Sequence, residues 1–381
     1  MFDYQEKERF FAQTQRGLEQ VALEELEELG AIKCSESFCG VYFQASHEEL
    51  YRINYMARTL SRVLAPLVSF TCNSEQALYK KAYDFPWPEL FSVEKTFAVK
   101  ATVSNSRLNH SQYAALRLKD AVVDHFRDKC GKRPDVDPEN PTILLNLNIR
   151  ENRALISLDT SGQSLHRRSY RVDTVSTPLQ ETLAAAIIRL SGWNGDRPFI
   201  DPMCGSGTFL AEALMHYCHI PTGFKRKHMD YGFVQLPDFD RNIWNGVKRE
   251  EDKKIRPCPE GLIRGSDVDP QAVKAARRNL NQIPGGNEII VSRSDFRNLT
   301  ETKGHMIVTN PPYGIRVGEK EPLFDLYKEF GDFLKQQCNG STAFILCGDI
   351  ELTKHIGLKI SRRIPLYNGP IEARLIKIDL Y

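Results

Sequence analysis

From Leu179 onward, helical patterns alternate with short apolar runs that end in Gly, Asp or Asn, and this alternation constrains the fold more than any other feature. The runs are RPFID, GLIRGSD, EIIVSRSD, HMIVTN and TAFILCG, and ARLIKIDLY follows near the end. Strands that alternate with helices form parallel sheets with helices on both faces. Residues 179–381 are therefore predicted to form a doubly wound α/β domain. Residues 217–260 interrupt the alternation with a polar insertion that contains aromatic residues.

The first part of the chain predicts an α+β region. A strand, a helix that stops at Gly30 and a second strand are expected within residues 10–45. A helix is expected from His47 to Leu64, and strands are expected at LVSFTC and TFAVKATV. The segment YAALRLKDAVVDHFRDKCG predicts a long amphipathic helix, and two strands flank an Asn-Arg turn in PTILLNLNIRENRALISLDTSG. Phe2 to Arg9 are expected to be disordered and are assigned no role.

The composition argues against several classes of protein. No run of about 18 apolar residues is present, which argues against a membrane-spanning helix. The segment MFDYQEKERF is too charged for the apolar part of a secretory signal, so a cytoplasmic location is expected. The nine cysteines are scattered without a C-x-x-C pair, so we expect buried thiols rather than disulfides or a metal site. The net charge of +2 does not by itself identify a nucleic-acid partner.

A glycine-rich turn, DPMCGSGT, follows the first strand of the α/β domain and leads into a helix. In a parallel sheet such a turn lies at the carboxyl edge, where ligands bind. Gly205 and Gly207 would let a ligand approach the backbone, and the helix N-terminus would offer N–H groups to a carboxylate. Neither G-x-G-x-x-G nor the P-loop motif is present. An ordinary tight turn between strand and helix is the alternative interpretation of this segment taken alone.

Acidic residues follow the next two strands. Asp267 is placed to accept hydrogen bonds from both hydroxyls of a ribose. Asp269 is expected to cap the following helix, with Pro270 at the first helical position, although the two Asp roles could be exchanged. Asp295 could accept from an adenine amino group while Phe296 lies against the ring. The alternative is that Asp295 only caps the loop, since a lone Asp after a strand does so more often than it binds a ligand.

The sequence Asn310-Pro311-Pro312-Tyr313 follows the fourth strand and has the most specific chemical interpretation. The Asn310 amide oxygen and a neighbouring backbone carbonyl can both accept from an exocyclic NH2 group, which favours a tetrahedral, nucleophilic nitrogen. Tyr313 offers an aromatic face to a base that has left its stack, and the prolines stiffen the turn. Methyl transfer from a sulfonium to such a nitrogen needs alignment more than a strong base. The alternative is a Pro-Pro loop with a chance Tyr.

A compact group of cations lies just before the α/β domain. His166, Arg167, Arg168 and Arg171 surround Tyr170. Arginine contacts to phosphates and stacking on tyrosine would suit unpaired RNA, so we expect RNA to bind these residues. The alternative is a solvated linker whose arginines pair with nearby acids.

The motifs DPMCGSGT, GSDVDP, SDF and NPPYG, in this order, resemble those of the class I amino-methyltransferases. SLHRRSYR followed by PLQETLAAAII looks like the bridge in THUMP-domain RNA methyltransferases, and LKDAVVDHFRDKCGKRPDVD is similar to the helix that closes a THUMP domain. Over nearly the whole chain, the nearest resemblance is to the bacterial branch that methylates guanine N2 in 23S ribosomal RNA. Ile315 departs from the pattern, because many relatives carry Glu there, and this weakens any claim about the exact target.

This resemblance implies a Rossmann-like class I methyltransferase domain preceded by an α+β ferredoxin-like and THUMP region. The implied domains are residues 1–44 (ferredoxin-like), 45–160 (THUMP), 161–178 (linker) and 179–381 (methyltransferase). S-adenosylmethionine would be the cofactor, and RNA, specifically 23S ribosomal RNA, would be the partner. Asn310, Pro311, Pro312 and Tyr313 would hold the target amine. The implied cofactor residues are Thr177, Pro178, Asp201, Pro202, Cys204, Gly205, Gly207, Thr208, Asp267, Val268, Asp295 and Phe296.

Two other functions stay open from the sequence. Adenine N6 methylation of RNA or DNA uses the same motif, although an added RNA domain argues against DNA. A catalytically silent RNA-binding or ribosome-assembly factor could keep the fold, but the intact NPPY sequence and glycine-rich turn argue against it.

Overall fold

A computed structural model describes residues 1–174, 179–300, 302–313 and 320–381. The contacts divide the chain into two compact units. The N-terminal unit comprises Met1–Thr14, Leu23–Leu165 and Arg226–Arg249, and the C-terminal unit comprises Gln15–Ala22, His166–Lys225 and Glu250–Tyr381. Thr177, Pro178 and Ile315 lie outside the described residues. Across the described ranges, no helix is long and apolar enough to cross a membrane.

The first sheet belongs to the N-terminal unit. Its strands are β1 (Arg9–Gln13), β2 (Ile32–Ser37), β3 (Gly40–Gln44), β4 (Arg62–Thr71), β5 (Phe97–Ser104), β6 (Ile143–Arg150) and β7 (Arg153–Asp159). The helices up to residue 130 are α1 (Asp3–Lys7), α2 (Glu19–Glu28), α3 (His47–Met56), α4 (Glu75–Tyr83), α5 (Trp87–Leu90) and α6 (Ser111–Cys130). The strand order is β2-β3-β1-β4-β7-β6-β5, and β1 pairs directly with β4. One sheet therefore crosses the domain boundary that we predicted between residues 44 and 45.

Two predictions for this unit were wrong. The helix expected from His47 to Leu64 ends at Met56, because β4 begins at Arg62 and is paired on both sides, with β1 and β7. The residues Phe2 to Arg9 are ordered rather than disordered. Phe2 and Tyr4 are buried, and the Tyr4 hydroxyl donates to Asp238 at 2.7 Å.

The second sheet belongs to the C-terminal unit. Its strands are β8 (Phe199–Asp201), β9 (Ile263–Asp267), β10 (Ile290–Arg293), β11 (Met306–Thr309), β12 (Thr342–Cys347), β13 (Arg362–Asn368) and β14 (Ile371–Asp379). The later helices are α7 (Glu181–Ser191), α8 (Thr208–Tyr217), α9 (Arg241–Asp252), α10 (Pro270–Leu280), α11 (Lys320–Gln337) and α12 (Ile350–His355). Every strand predicted after Leu179 is present. The edge strand β13 was missed.

The strand order β10-β9-β8-β11-β12-β14-β13 confirms the doubly wound fold. The strands β8 to β12 are parallel, and β14 runs antiparallel to both of its neighbours. One buried cluster joins the sheet to α7, α8 and α10, and a second joins it to α11 and α12. The strands that follow β8 in the chain, β9 and β10, lie on one side of it, and the next strand, β11, lies on its other side. The order of the strands therefore reverses at β8. Ligands of such sheets bind at this reversal, outside the carboxyl ends of the strands.

The insertion divides differently from our prediction, since residues 226–249 group with the N-terminal unit. The reason is aromatic packing within that unit. Phe233 stacks on Tyr51 with ring centroids 4.6 Å apart, and Trp244 meets Tyr55 edge-on at 5.4 Å. A Cβ at Gly232 would overlap the carbonyl oxygen of Asp159, so the insertion lies directly on the end of β7. Within the predicted domain of residues 179–381, residues 226–249 therefore pack with the N-terminal unit.

The close approach at Gly232 generates a prediction about stability. Gly232→Ala should lower the free energy of unfolding by about 1–3 kcal/mol, because the added methyl must push the backbone away from Asp159. Gly246→Ala is the matched control: Gly246 lies in α9 with open space where its Cβ would be. There the stability should be unchanged or raised by about 0.5–1 kcal/mol. Urea-induced unfolding followed by tryptophan fluorescence measures both, and equal effects would contradict the packing that we describe.

Candidate active site

A cleft of about 860 Å³ lies within the C-terminal unit at the carboxyl edge of the second sheet. The turn after β8, the residues after β9 and β10, and the segment after β11 line it. It therefore lies where the strand order of the sheet predicts a ligand site. Nine of the residues that the sequence predicted to hold the cofactor line this cleft: Asp201, Pro202, Cys204, Gly205, Thr208, Asp267, Val268, Asp295 and Phe296.

The glycine-rich turn is shaped by two left-handed residues and held by one acidic side chain. Gly205 and Gly207 have φ of 54° and 81°, which side chains with a Cβ rarely adopt. A Cβ at Gly207 would lie 3.0 Å from the Cβ of Ala276 in α10. The Gly205 amide donates to Asp267 Oδ2 at 2.8 Å. The turn is thus fixed to the end of the neighbouring strand β9.

Of the two acidic residues at the end of β9, Asp269 has the capping role that we favoured, and the ribose contact of Asp267 stays a prediction. Asp269 caps α10 by accepting from the Gln271 amide at 2.9 Å, and Pro270 is the first helical residue. Asp267 lines the cleft, and its Oδ1 accepts from the Asp269 amide at 3.0 Å. Each carboxylate oxygen of Asp267 has one protein donor and can accept another. Asp267 can therefore still bind two hydroxyls of a ligand.

Asp201 ends β8 and is buried. Its Oδ1 accepts from the Thr309 hydroxyl at 2.7 Å and from the Met203 amide at 3.2 Å. Burial raises the pKa of Asp201 to about 7, although these hydrogen bonds act in the opposite direction. The bond to Thr309 joins the ends of β8 and β11, the two central strands. Asp201 therefore stabilises the frame from which the glycine-rich turn and Asn310 both project.

Asp295 and Phe296 have protein partners at the wall of the cleft. Asp295 accepts from the Arg297 amide at 3.0 Å and pairs with its guanidinium at 2.5 Å. Phe296 is 4% exposed, and its ring meets that of Phe330 edge-on with centroids 5.2 Å apart. Phe296 is one of the residues that line the cleft. An adenine contact at these two residues stays a prediction.

Asn310 carries the most informative atom of the site. Its Oδ1 is buried and accepts no hydrogen bond from any part of the chain that the structure describes. An unsatisfied buried acceptor costs about 1–3 kcal/mol, so this oxygen suits a ligand that supplies a hydrogen-bond donor. Pro311 beside it is buried and Pro312 is exposed, and all three line the cleft.

Tyr313 is held by two residues that the sequence did not indicate. Its hydroxyl accepts from Asn368 Nδ2 at 2.8 Å, and burial raises its pKa. A Cβ at Gly348 would overlap the Tyr313 ring, so only glycine leaves room for it. Gly369 and Pro370 form the turn between β13, which ends at Asn368, and β14, and a glycine at the first turn position was the available sign of a hairpin. Further lining residues that were not predicted are Leu179, Met203, Ser206, Phe209, Ser294, Arg297, Leu326, Asn368 and Ile371.

The structure corrects the expected RNA contacts of Arg168 and Tyr170. Arg168 is an ion-paired core residue: its Nε donates to Glu212 in α8 at 2.8 Å, and both side chains are fully buried. Tyr170 is 1% exposed and donates to the same carboxylate at 3.1 Å. Neither side chain presents a surface to RNA. Arg167 is exposed, and its predicted RNA contact stays a prediction.

Arg171 also has protein partners, and they belong to the cleft. Its guanidinium donates to the hydroxyls of Ser206 at 3.3 Å and Thr208 at 3.1 Å. It pairs with Glu181 at 2.8 Å. Asn279 donates to the Ser206 carbonyl at 3.0 Å. The segment that we expected to bind RNA therefore supports the glycine-rich turn from behind.

Comparison with known families identifies the chain. Residues 168–377 match the RMKL-like methyltransferase domain, a match over more than half of the protein. The chain belongs to this methyltransferase family. Residues 72–159 match the THUMP domain and residues 9–64 match the RlmL ferredoxin-like domain. The resemblance to THUMP-domain class I methyltransferases is thereby confirmed.

Individual relatives of this RMKL-like methyltransferase agree with the family match. A putative RNA methyltransferase of Synechocystis is 40% identical over 98% of this chain and 97% of that protein. The ribosomal RNA large subunit methyltransferase K/L of Syntrophotalea carbinolica is 39% identical over 98% of this chain. The chain spans only 53% of that relative's length. A crystal structure of a putative methyltransferase complexed with SAH aligns with a TM-score of 0.88, 27% identity and 98% coverage of both chains.

The raised pKa of Asp201 predicts a pH dependence of stability. Because the pKa rises from 3.8 to about 7 on folding, the folded protein holds this proton more tightly than the unfolded chain between those pH values. The stability that this proton contributes is complete below pH 3.8 and is lost as the pH rises through about 7. The Asp201→Asn variant has no carboxyl group to titrate at this position. When the pH is raised from about 4.5 to about 8, it should therefore lose less stability than the wild type. Urea unfolding across that range measures it, and parallel curves would contradict the assignment.

Proposed function

We propose that this protein transfers a methyl group from S-adenosylmethionine to an exocyclic amine of a purine in RNA, and that the target is guanine N2 of 23S ribosomal RNA. The observation that carries the proposal is the buried, unsatisfied Oδ1 of Asn310 in a cleft that also contains a glycine-rich turn. An exocyclic amine is a donor that such an acceptor needs. The relatives named for ribosomal RNA supply the substrate class.

The cofactor residues fit S-adenosylmethionine by chemistry. Asp267 has spare acceptor capacity for the ribose hydroxyls. The turn before α8 and the first amides of that helix suit the carboxylate of the methionine part. Phe296 offers an apolar surface to the base. The bound cofactor would supply an activated methyl group on a sulfonium sulfur.

The chain's own residues then act by alignment. Asn310 Oδ1 would accept one N–H of the target amine, which fixes the nitrogen and favours its tetrahedral form. Tyr313 would support the unstacked base with its ring, and Asn368 and Gly348 fix the position of that ring. Burial of Pro311 limits movement of the segment between them.

The N-terminal unit contains the residues that match the THUMP domain, and we assign it the recruitment of folded RNA. A ribosomal substrate would place the protein in the cytoplasm. This assignment rests on the relatives, because the domain match names a fold and not a contact.

Asn310→Ala should lower methyl transfer by about two orders of magnitude, because the acceptor that orients the amine is lost. The affinity for S-adenosylmethionine should stay the same, since Asn310 is assigned to the target amine alone. Asn298→Ala is the control, as Asn298 is exposed and lies outside the cleft. Isothermal titration gives the affinity. Ribosomal RNA from cells that lack the gene is the substrate.

Nucleoside mass spectrometry of that RNA identifies the product. Restoration of N2-methylguanosine by the purified wild-type protein supports the proposal. Appearance of N6-methyladenosine instead would show that the target is adenine and not guanine. Full turnover by Asn310→Ala, or cofactor binding with no methylated nucleoside in any ribosomal RNA, would contradict it.

Arg171→Ala should weaken S-adenosylmethionine binding by about tenfold, the equivalent of ~1.4 kcal/mol. The reason is that Arg171 fixes the hydroxyls of Ser206 and Thr208 beside the cofactor turn. Arg167→Ala is matched in chemistry, exposed and four residues away, and should leave the affinity unchanged. Titration calorimetry compares the two. Equal affinities in both variants would show that Arg171 does not support the turn.

A further inference from the structure

The C-terminal unit carries a group of cations at the outer edge of its sheet. Between Lys354 and Ile371 the chain contains three cations, Lys359, Arg362 and Arg363, and no Asp or Glu. Lys359, Arg362 and Arg363 are exposed where the edge strand β13 begins. Arg16, also exposed, lies over the ring of Tyr367 in the same strand at 4.9 Å. We call these four residues, Arg16, Lys359, Arg362 and Arg363, the basic edge.

The cations of the basic edge differ from those of the adjoining strand. In β14, Arg374 pairs with Glu372 at 2.6 Å and Lys377 pairs with Asp379 at 3.0 Å. Within the described ranges, the residues of the basic edge form no ion pair with a carboxylate. Their positive charge is therefore available to an anionic partner, whereas that of β14 is neutralised within the strand.

The basic edge is continuous with the cleft. β13 runs from Arg362 to Asn368, and Asn368 lines the cleft and binds Tyr313. Asn368 lies five positions after Arg363, a distance of about 17 Å along an extended strand. Ile371, the first residue of β14, also lines the cleft and is 45% exposed. One strand thus connects an apolar and aromatic site for a base with a row of unpaired cations.

We propose that the basic edge binds the phosphates of the unpaired RNA strand that adjoins the target base. The inference rests on the proposed function, because it takes RNA as the substrate. Proteins that bind single-stranded nucleic acid combine a row of cations along the backbone with an aromatic surface for a base. Here the basic edge, with Arg362 and Arg363 at the start of β13, supplies the cations, and Tyr313 supplies the aromatic surface. The direction of β13 sets the path of the strand, which leaves the cleft past Asn368 and follows the sheet edge toward Arg362.

Charge on an edge strand also has a simpler explanation. Lys, Arg and Pro on an exposed edge prevent pairing with other chains, and Pro365 lies in β13. Either sign of charge serves that purpose. A reversal of sign therefore separates the two explanations, since it keeps the edge protected and repels phosphate.

The test uses the double variant Arg362→Glu with Arg363→Glu. Its control is Lys328→Glu with Lys335→Glu, two exposed cations seven residues apart on α11 that give the same change in net charge. The full chain is titrated with a short fluorescent oligoribonucleotide of mixed, unpaired sequence. The basic-edge variant should bind at least about tenfold more weakly than the control, because two attractions become repulsions. Thermal unfolding and S-adenosylmethionine affinity should be equal in both.

A second measurement gives the number of contacts. In Arg362→Ala with Arg363→Ala, the slope of log affinity against log salt should become shallower by about 1.4, since each phosphate contact contributes ~0.7 for a single strand. Equal RNA affinities for the basic-edge and α11 variants, or an unchanged salt slope, would overturn the inference. If the wild type methylates ribosomal RNA in that case, only the basic edge fails. If the wild type methylates no RNA, the proposed function fails first.

Discussion

The hydrogen bond from the Gly205 amide to Asp267 holds the active-site cleft in shape. Parallel pairing of β8 with β9 brings the ends of both strands together, and the left-handed conformation of Gly205 permits the turn between them. The bond between Thr309 and Asp201 does the same for β8 and β11. Together these two bonds connect three strand ends. The glycine-rich turn and the Asn310 segment consequently line one cleft.

Charged side chains are buried in the core beside the cleft, at positions where most proteins have apolar residues. Arg168 pairs with Glu212 out of contact with water, and Asn279 joins the Ser206 carbonyl to Asp173. A buried ion pair adds little net stability, because desolvation offsets its attraction. Such a pair requires one geometry, however, and tolerates no shifted packing. We infer that this network contributes to a single position of the glycine-rich turn rather than to the overall stability.

The sequence predicted the second sheet and many of the residues that line the cleft, because strand ends, glycines and the NPPY segment are local features. It failed where the deciding contact lies far away in the chain. A cluster of arginines looks the same whether solvated or buried, so the partner of Arg168 in α8 could not be foreseen. β13 was missed because Arg362, Arg363 and Pro365 hide its alternation. Because β13 was not predicted, the hydrogen bond from Asn368 to the Tyr313 hydroxyl could not be predicted either.

The two units are not consecutive along the chain. Leu18 and Val21 are buried in the core cluster that also contains Leu366, although residues on both sides of their segment belong to the N-terminal unit. Conversely, residues 226–249 belong to the N-terminal unit, although the residues before and after them belong to the C-terminal unit. No single cut of the polypeptide can release either unit with its core intact. Truncation at any one position therefore removes a segment from at least one unit, so neither can be produced from a single uninterrupted stretch of the gene.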